Sequence, residues 1–364
     1  MSEYERANEI VNKYVAEKSS NGILQHAPGW FEAKKKTIGG SQIAALIGLN
    51  PYENPYNLLL HKLGIKKFET NMVVQWGSLF EYLLRKHVEN TLMCTIVGEN
   101  LFIPGENPGV SYSPDGLGVV MLDLLKKIVL NPEKLAAFAG IYAPVLFEFK
   151  CLFRRQPKGD PPVYYKPQVK YGLDIIDVLD FGVFIEAVFR RCAADDLNFT
   201  NSFDAQLTAH NYSKKVVAVG YIRFYTVAKQ LGEENIKLLQ KFTQHVGMLQ
   251  NVPTCIDAGC APEPLFECIM AMWHEGILRA EYGEICYDNA PKIEAIGAVA
   301  ILPWKLFRVD YHIIPREPGF LQNCLPKINE FMEYVNMCHA ETHPDKLANL
   351  LDSYAKKYIG GIDY

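Results

Sequence analysis

Apolar positions along the chain follow two periods, and the places where the period changes outline its elements. Residues 3–18 carry Ile10, Val11, Tyr14 and Val15 as one side of a helix. A polar loop with Ser19, Ser20, Asn21 and Gly22 follows. A short apolar helix then opens at Ser41 and ends near Gly48-Leu49-Asn50-Pro51. Helices are expected over 55–63 and 72–93, the second with Leu79, Leu83 and Val88 on one side. Strand-like runs occupy 94–103, 117–122, 143–150 and 179–189, and the segment 163–177 between two of them is read as helical.

The second half is less regular. Residues 192–215 are polar, with Asp195-Asp196, Asn198 and Asn201, and read as a loop or insertion. A strand is expected at 215–227, a helix at 228–250, a Pro/Cys/Gly-rich crossing at 252–264 and a helix near 264–280. The apolar run 298–314 predicts one or two buried strands, and 321–340 a terminal helix. There is no repeat and no low-complexity tract. Strands and helices are mixed without strict alternation, which predicts an α/β core decorated by helices. The chain divides into an N-terminal helix and linker (1–29), a motif-bearing core (30–191) and a C-terminal α+β elaboration packed on the same domain (192–364).

Composition changes this picture little. The 364 residues are 49% hydrophobic and 21% charged, ordinary for a soluble protein. No apolar run approaches a membrane span, and the polar start Met1-Ser2-Glu3-Tyr4 lacks a secretory layout, so an intracellular protein is expected. The nine cysteines are scattered without a CxxC pair, which predicts reduced thiols in or near the core. Charge changes the picture more. The net charge is −4, yet residues 31–191 hold 19 Lys/Arg against 16 Asp/Glu. The motif-bearing segment is thus the basic one, and a basic groove is expected there.

Candidate chemistry begins at Glu148-Phe149-Lys150, which ends the apolar run Pro144-Val145-Leu146-Phe147. On a strand, alternation puts Glu148 and Lys150 on one face and the two phenylalanines on the other. Alone the triplet reads as a strand-end ion pair. Asp115, in the turn Ser113-Pro114-Asp115-Gly116, precedes a second strand-like run and can lie beside Glu148 on a neighbouring strand. Two carboxylates and a main-chain carbonyl make a hard-oxygen site suited to Mg²⁺ or Mn²⁺. Such ions hydrolyse phosphodiesters by activating water and stabilising charge.

With Gly39-Gly40-Ser41, Trp76-Gly77-Ser78-Leu79-Phe80-Glu81 and Tyr164-Tyr165-Lys166-Pro167-Gln168-Val169, this ordered series resembles the PD-(D/E)XK nuclease superfamily. Within it, the likeness is to the lambda-type exonucleases, the YqaJ-like viral recombinases and the viral alkaline nucleases. The resemblance covers roughly residues 30–191. It implies a restriction-endonuclease-like core, a central mixed β-sheet flanked by helices. It further implies that Asp115, Glu148 and the Phe149 main-chain carbonyl bind one or two ions, with Glu81 joining directly or through water. Lys150 would position or activate the attacking water, and Gln168 would contact substrate or water.

The amino-terminal motif speaks to substrate. Glycines admit close backbone approach, and a serine at a helix start offers its hydroxyl beside free N–H groups. The resemblance assigns this region to a DNA 5′ phosphate, with Gly40, Ser41 and Lys34 as its contacts. Lys34 stands where the family usually has arginine, keeping the charge but losing the bidentate fork. Arg154 and Lys166, with Lys35, Lys36, Arg155, Lys158 and Lys170, are candidates for backbone phosphate contacts. The spacing from Asp115 to Glu148 is longer than in compact members, so 123–142 reads as a helical excursion able to cover substrate or meet a partner. The expected activity is 5′→3′ digestion of duplex DNA with free ends, for viral recombination or genome processing. It would run with or without a single-strand annealing protein, as a monomer or a ring-shaped trimer, in host cytoplasm or nucleus. Rival readings are an endonuclease or RNase with the same site, and a DNA-end-binding factor with little catalysis.

Overall fold

The run from Tyr142 to Cys151 is apolar on both faces and β-prone, and it becomes the spine of a sheet covered on both sides. The computed structural model describes residues 1–19, 23, 28–67, 70–194, 196–199, 216–227, 254–255, 263–294 and 297–359. The expected helix at 228–250, most of the 192–215 loop and the crossing at 252–264 lie outside the described residues or nearly so.

Five helices precede the sheet: α1 (Glu3–Ser19), α2 (Pro28–Lys35), α3 (Gly40–Leu46), α4 (Pro55–Lys62) and α5 (Met72–Leu92). Short strands β1 (Ile96–Val97), β2 (Ile103–Pro104) and β3 (Ser111–Tyr112) lead to β4 (Gly116–Met121). After a short helix α6 (Leu122–Lys126) come β5 (Tyr142–Cys151), α7 (Lys166–Ile175) and β6 (Phe181–Arg191). The described C-terminal half adds β7 (Ala218–Thr226), β8 (Thr254–Cys255), α8 (Glu263–His274), β9 (Leu278–Tyr282), β10 (Ala300–Pro315), α9 (Phe320–Ala340) and α10 (Pro344–Ile359).

The main sheet runs β1-β4-β5-β6-β10-β7-β9, with β8 also paired to β10. It is mixed: β5 and β6 are parallel, with α7 as their crossover, while β4 with β5 and β6 with β10 are antiparallel. Side-chain alternation then sorts the core. Val145, Phe147, Phe149, Val183 and Ile185 face α5 and α8, whereas Leu146 and Phe184 face α1, α3, α7 and α9. The C-terminal strands extend this same sheet.

Several expectations are corrected. Ile10 is exposed, and Ala7, Val11 and Tyr14 form the buried side of α1. The strand expected over 94–103 is only β1 and β2, because the chain turns at Gly98, whose φ is +79°. The helix near 264–280 stops at His274, and Gly276 in the left-handed region lets the chain reverse into β9. The helix over 321–340 is not the last, since α10 follows it. Ser41 does not cap α3: Gly39 does, with the Gln42 side chain accepting from the Gly39 N–H. Cysteines 94, 151, 192, 268, 286, 324 and 338 are free thiols, most of them buried, as expected of a reduced protein. Among the described residues no helix is long and apolar enough to cross a membrane.

The 123–142 excursion also has a definite place. Its Asn131 side chain accepts from the Ile313 N–H and donates to the Ile313 carbonyl, at 2.8 and 3.0 Å. Leu130 N–H donates to the Tyr311 carbonyl. The segment therefore closes the edge of β10 beyond the last β7 pair. Asn131→Ala would strand two buried backbone groups and is expected to destabilise the fold by ~1–3 kcal/mol. Urea unfolding checks this, and an unchanged midpoint would contradict it.

Candidate active site

Strand β4 begins at Gly116, opposite Phe147, so the next stretch of β5 has no β4 residue alongside. Asp115 fills that position: its Oδ2 accepts from the Phe149 N–H at 2.8 Å. A strand residue's N–H and C=O leave from one edge, so the Phe149 carbonyl faces the same opening. Glu148 and Lys150 point to the opposite face from Phe147 and Phe149, whose rings stack 6.0 Å apart in the core. Glu148 is fully buried and holds the Lys150 ammonium in an ion pair. Its second oxygen accepts weakly from the Tyr112 hydroxyl, at 3.4 Å.

Electrostatics tie a third acid to this pair. Burial, with Asp115 next, raises the Glu81 carboxyl on α5 to about 8, and Lys150 offsets this only in part. Burial and then Asp115 raise Glu148 to about 8 as well. Asp115 is raised by burial, although Lys150 and the Phe149 N–H oppose it. Burial alone would lower the Lys150 amine, but Glu148 and Asp115 outweigh it and hold the ammonium charged. Three carboxylates thus share one ammonium in a desolvated place. The missing charge is positive, and the donors are hard oxygens without thiolate or imidazole, so the set fits a divalent cation such as Mg²⁺ or Mn²⁺. Among the described residues, however, no three acidic, imidazole or thiol side chains already stand as a closed ligand cage. Glu148 is engaged by Lys150 and Tyr112, and Asp115 by the Phe149 N–H.

The remaining candidates fall into two groups. Lys150, Glu81, Arg154 and Arg155 line one cleft of about 650 Å³. Lys166, at the start of α7, lies 3.9 Å from Asp160. Gln168 lies farther along α7, its Cγ 3.4 Å from where a Cβ would stand on Gly40. Gly40 itself is buried, and a Cβ there would come within 2.4 Å of the Tyr112 ring. Its lack of a side chain serves packing of the tyrosine that reaches Glu148. Ser41 is exposed. The Lys34 ammonium sits 4.4 Å from the Trp30 ring centre, and Trp30 donates to Ser113, two residues before Asp115. Burial lowers the Lys34 amine.

Three residues escaped the sequence reading. Tyr112 directly precedes the Ser113–Gly116 turn, so its place in the motif was available as a signal. Lys62 looks like a surface lysine of α4, yet it is buried and donates to the Lys34 and Thr37 carbonyls and to Gln42. It locks α2 to α3, and burial, then Lys34, lower it to about 7. Glu186 faces Lys150 across the β5–β6 pair and forms a buried ion pair with Arg155. Only the parallel register brings these together.

Comparison with known proteins bears on this geometry. Residues 29–177 match the model of the YqaJ-like viral recombinase domain. The matched span contains every candidate named above from Trp30 to Gln168. Protein D345L of African swine fever virus (strain Badajoz 1971 Vero-adapted) is 27% identical over 329 residues, covering 88% of each chain. The same protein of isolate Tick/Malawi/Lil 20-1/1983 is 26% identical over an equal span. Among solved structures, the alkaline exonuclease LHK-Exo of Laribacter hongkongensis aligns over 44% of this chain and 74% of its own, at 17% identity and a TM-score of 0.32. Its complex with dAMP aligns over 91% and 100%, at 11% identity and 0.38. These superpositions are loose, with TM-scores of 0.32 and 0.38.

A pH dependence follows. Without metal, Glu81 and Glu148 keep protons in the folded state that the unfolded chain gives up above its ordinary carboxylate range, ~4.3. The folded state then binds more protons, so stability falls as pH rises from there toward 8. In EDTA the melting temperature should drop between pH 5.5 and pH 8, and Mg²⁺ or Mn²⁺ should restore more at pH 8 than at pH 5.5. A melting temperature indifferent to both pH and metal would contradict this.

Proposed function

We propose that this chain is a divalent-metal-dependent deoxyribonuclease that hydrolyses linear duplex DNA from free ends, 5′→3′, in recombination or genome processing. The observation that carries the reading is the buried Glu148–Lys150 pair beside Asp115, with Glu81 and Lys150 facing one cleft. The match of residues 29–177 to the YqaJ-like viral recombinase domain agrees with it.

Asp115, Glu148 and the Phe149 carbonyl would hold Mg²⁺ or Mn²⁺, with Glu81 completing the set. The ion supplies Lewis acidity at the phosphate and lowers the pKa of water. Lys150 stays protonated and close to Glu148, so it orients the attacking water and stabilises charge at the phosphate. Glu148 fixes that ammonium, and Tyr112 steadies Glu148 from behind. Arg154 and Lys166 offer backbone-phosphate contacts that carry no base preference. Lys34, Ser41 and Gly40 are assigned to the strand terminus. Lys34 lies against Trp30 and Ser41 is open to solvent, and a lysine there predicts only a moderate demand for a 5′ phosphate.

The test is parallel incubation of 5′-phosphorylated, 5′-hydroxyl and covalently closed duplexes, and of RNA, with Mg²⁺ and then with EDTA. Linear DNA should be degraded and EDTA should stop it. Cleavage of closed circles or RNA would replace the exonuclease reading with a broader nuclease, and no cleavage of anything would defeat it. Lys150→Ala should lower turnover by at least ~100-fold, the scale of losing one charge-stabilising donor. DNA binding by this variant, read by gel shift, should persist. Wild-type turnover in it would remove the assigned mechanism.

A further inference from the structure

We propose that the cleft beside Lys150 takes unpaired nucleotides, whose bases stack on a tyrosine ladder begun by Tyr52 and Tyr164. The proposal takes its substrate class from the nuclease reading and adds the side chains that receive the bases.

The cleft's lining is the first reason. Tyr52, Val73, Val74 and Tyr164 share it with Glu81 and Lys150. A paired duplex presents phosphates and sugars on its outside and keeps its base faces stacked within. Apolar and aromatic walls next to phosphate-directed groups gain a partner only when bases are exposed. At about 650 Å³ the cleft has the size of a small-ligand pocket, which admits a few nucleotides of one strand rather than a duplex.

The rings form a path. Tyr52 is 79% exposed on the turn between α3 and α4, where the Asn50 side chain accepts from its N–H. Its ring meets Tyr164 edge-on at 5.7 Å and 88°. Tyr164 lies 4.5 Å from Tyr165, and the Lys150 ammonium lies 5.3 Å from the Tyr165 ring centre. Aromatic surface thus runs from solvent to the ammonium assigned to catalysis. A tyrosine this exposed contributes little to the core, whereas an open π-face suits a base of any sequence.

Charge completes the arrangement. Arg155 also lines the cleft, 5.7 Å from the Tyr165 ring centre, and buried Glu186 anchors its guanidinium. An anchored guanidinium meets phosphate without first losing side-chain freedom. Stacked bases on one wall and a fixed cation beside them are the requirements of a single strand.

The test is fluorescence anisotropy with the full chain and Ca²⁺ in place of Mg²⁺ to hold cleavage back. The probes are a short oligothymidylate and the same strand with abasic sites at its three 5′-terminal positions. Wild type should bind the abasic strand more weakly by about 5- to 100-fold, the range for stacking one base. Tyr52→Ala should lose a similar factor on the intact strand and become nearly indifferent to base removal, while Tyr52→Trp keeps wild-type affinity. Equal wild-type affinity for intact and abasic strands would overturn the ladder while leaving the nuclease reading in place, and it needs no variant to fold. Tyr52→Ala binding like wild type would do the same. Failure of wild type to bind either strand or a duplex would take down both.

Discussion

The arrangement depends on where β4 starts. Because it pairs with β5 only from Gly116 onward, the edge of β5 at Phe149 is left for a side chain to complete, and Asp115 completes it. That single hydrogen bond fixes a turn aspartate beside a strand glutamate. The Phe149 carbonyl leaves the strand from that same edge. Had β4 begun two residues earlier, the backbone would have satisfied itself and the carboxylate would have been free to leave. The register of one antiparallel pair thus sets the spacing of the proposed metal ligands.

Burial sets the electrostatics around that point. Glu148 is sealed beneath α7 and the Tyr112 ring, which Gly40 and Gly172 accommodate by lacking side chains. Asp115 and Glu81 are drawn close enough to feel it. One ammonium cannot neutralise three carboxylates, so the site is held short of charge balance, as suits a place meant to accept a cation. The second ion pair, Arg155 with Glu186, is one strand further along and balances itself. Glu148 and Glu186 are both buried acids on neighbouring strands, and only the first lies in a group with more carboxyls than cations.

Much of this was legible in the sequence because the decisive contacts obey short periods. Alternation alone puts Glu148 and Lys150 together and sends Phe147 and Phe149 to the core. The helix bearing Glu81 announces itself by the spacing of Leu79, Leu83 and Val88. What was not legible depends on contacts between residues far apart in the chain. Lys62 reads as solvated until α2 and α3 close over it. Asn131 reads as a loop residue until β10 passes beside it. Glu186 is one acid in an apolar strand until the parallel register sets it opposite Lys150. Ser41 misled for the opposite reason: it reads as the residue that opens the helix, but the helix opens at Gly40, and Gln42 reaches back to Gly39 at that end.

The central claim is that Asp115 and Glu148 jointly hold one divalent ion, with Glu81 at hand. A crystal soaked in Mn²⁺ and measured for anomalous scattering tests it most directly. The account predicts an anomalous peak within bonding distance, ~2.0–2.6 Å for hard cations on oxygen, of carboxylate oxygens from both Asp115 and Glu148. A peak elsewhere on the molecule, or a site bare at saturating Mn²⁺, would contradict it.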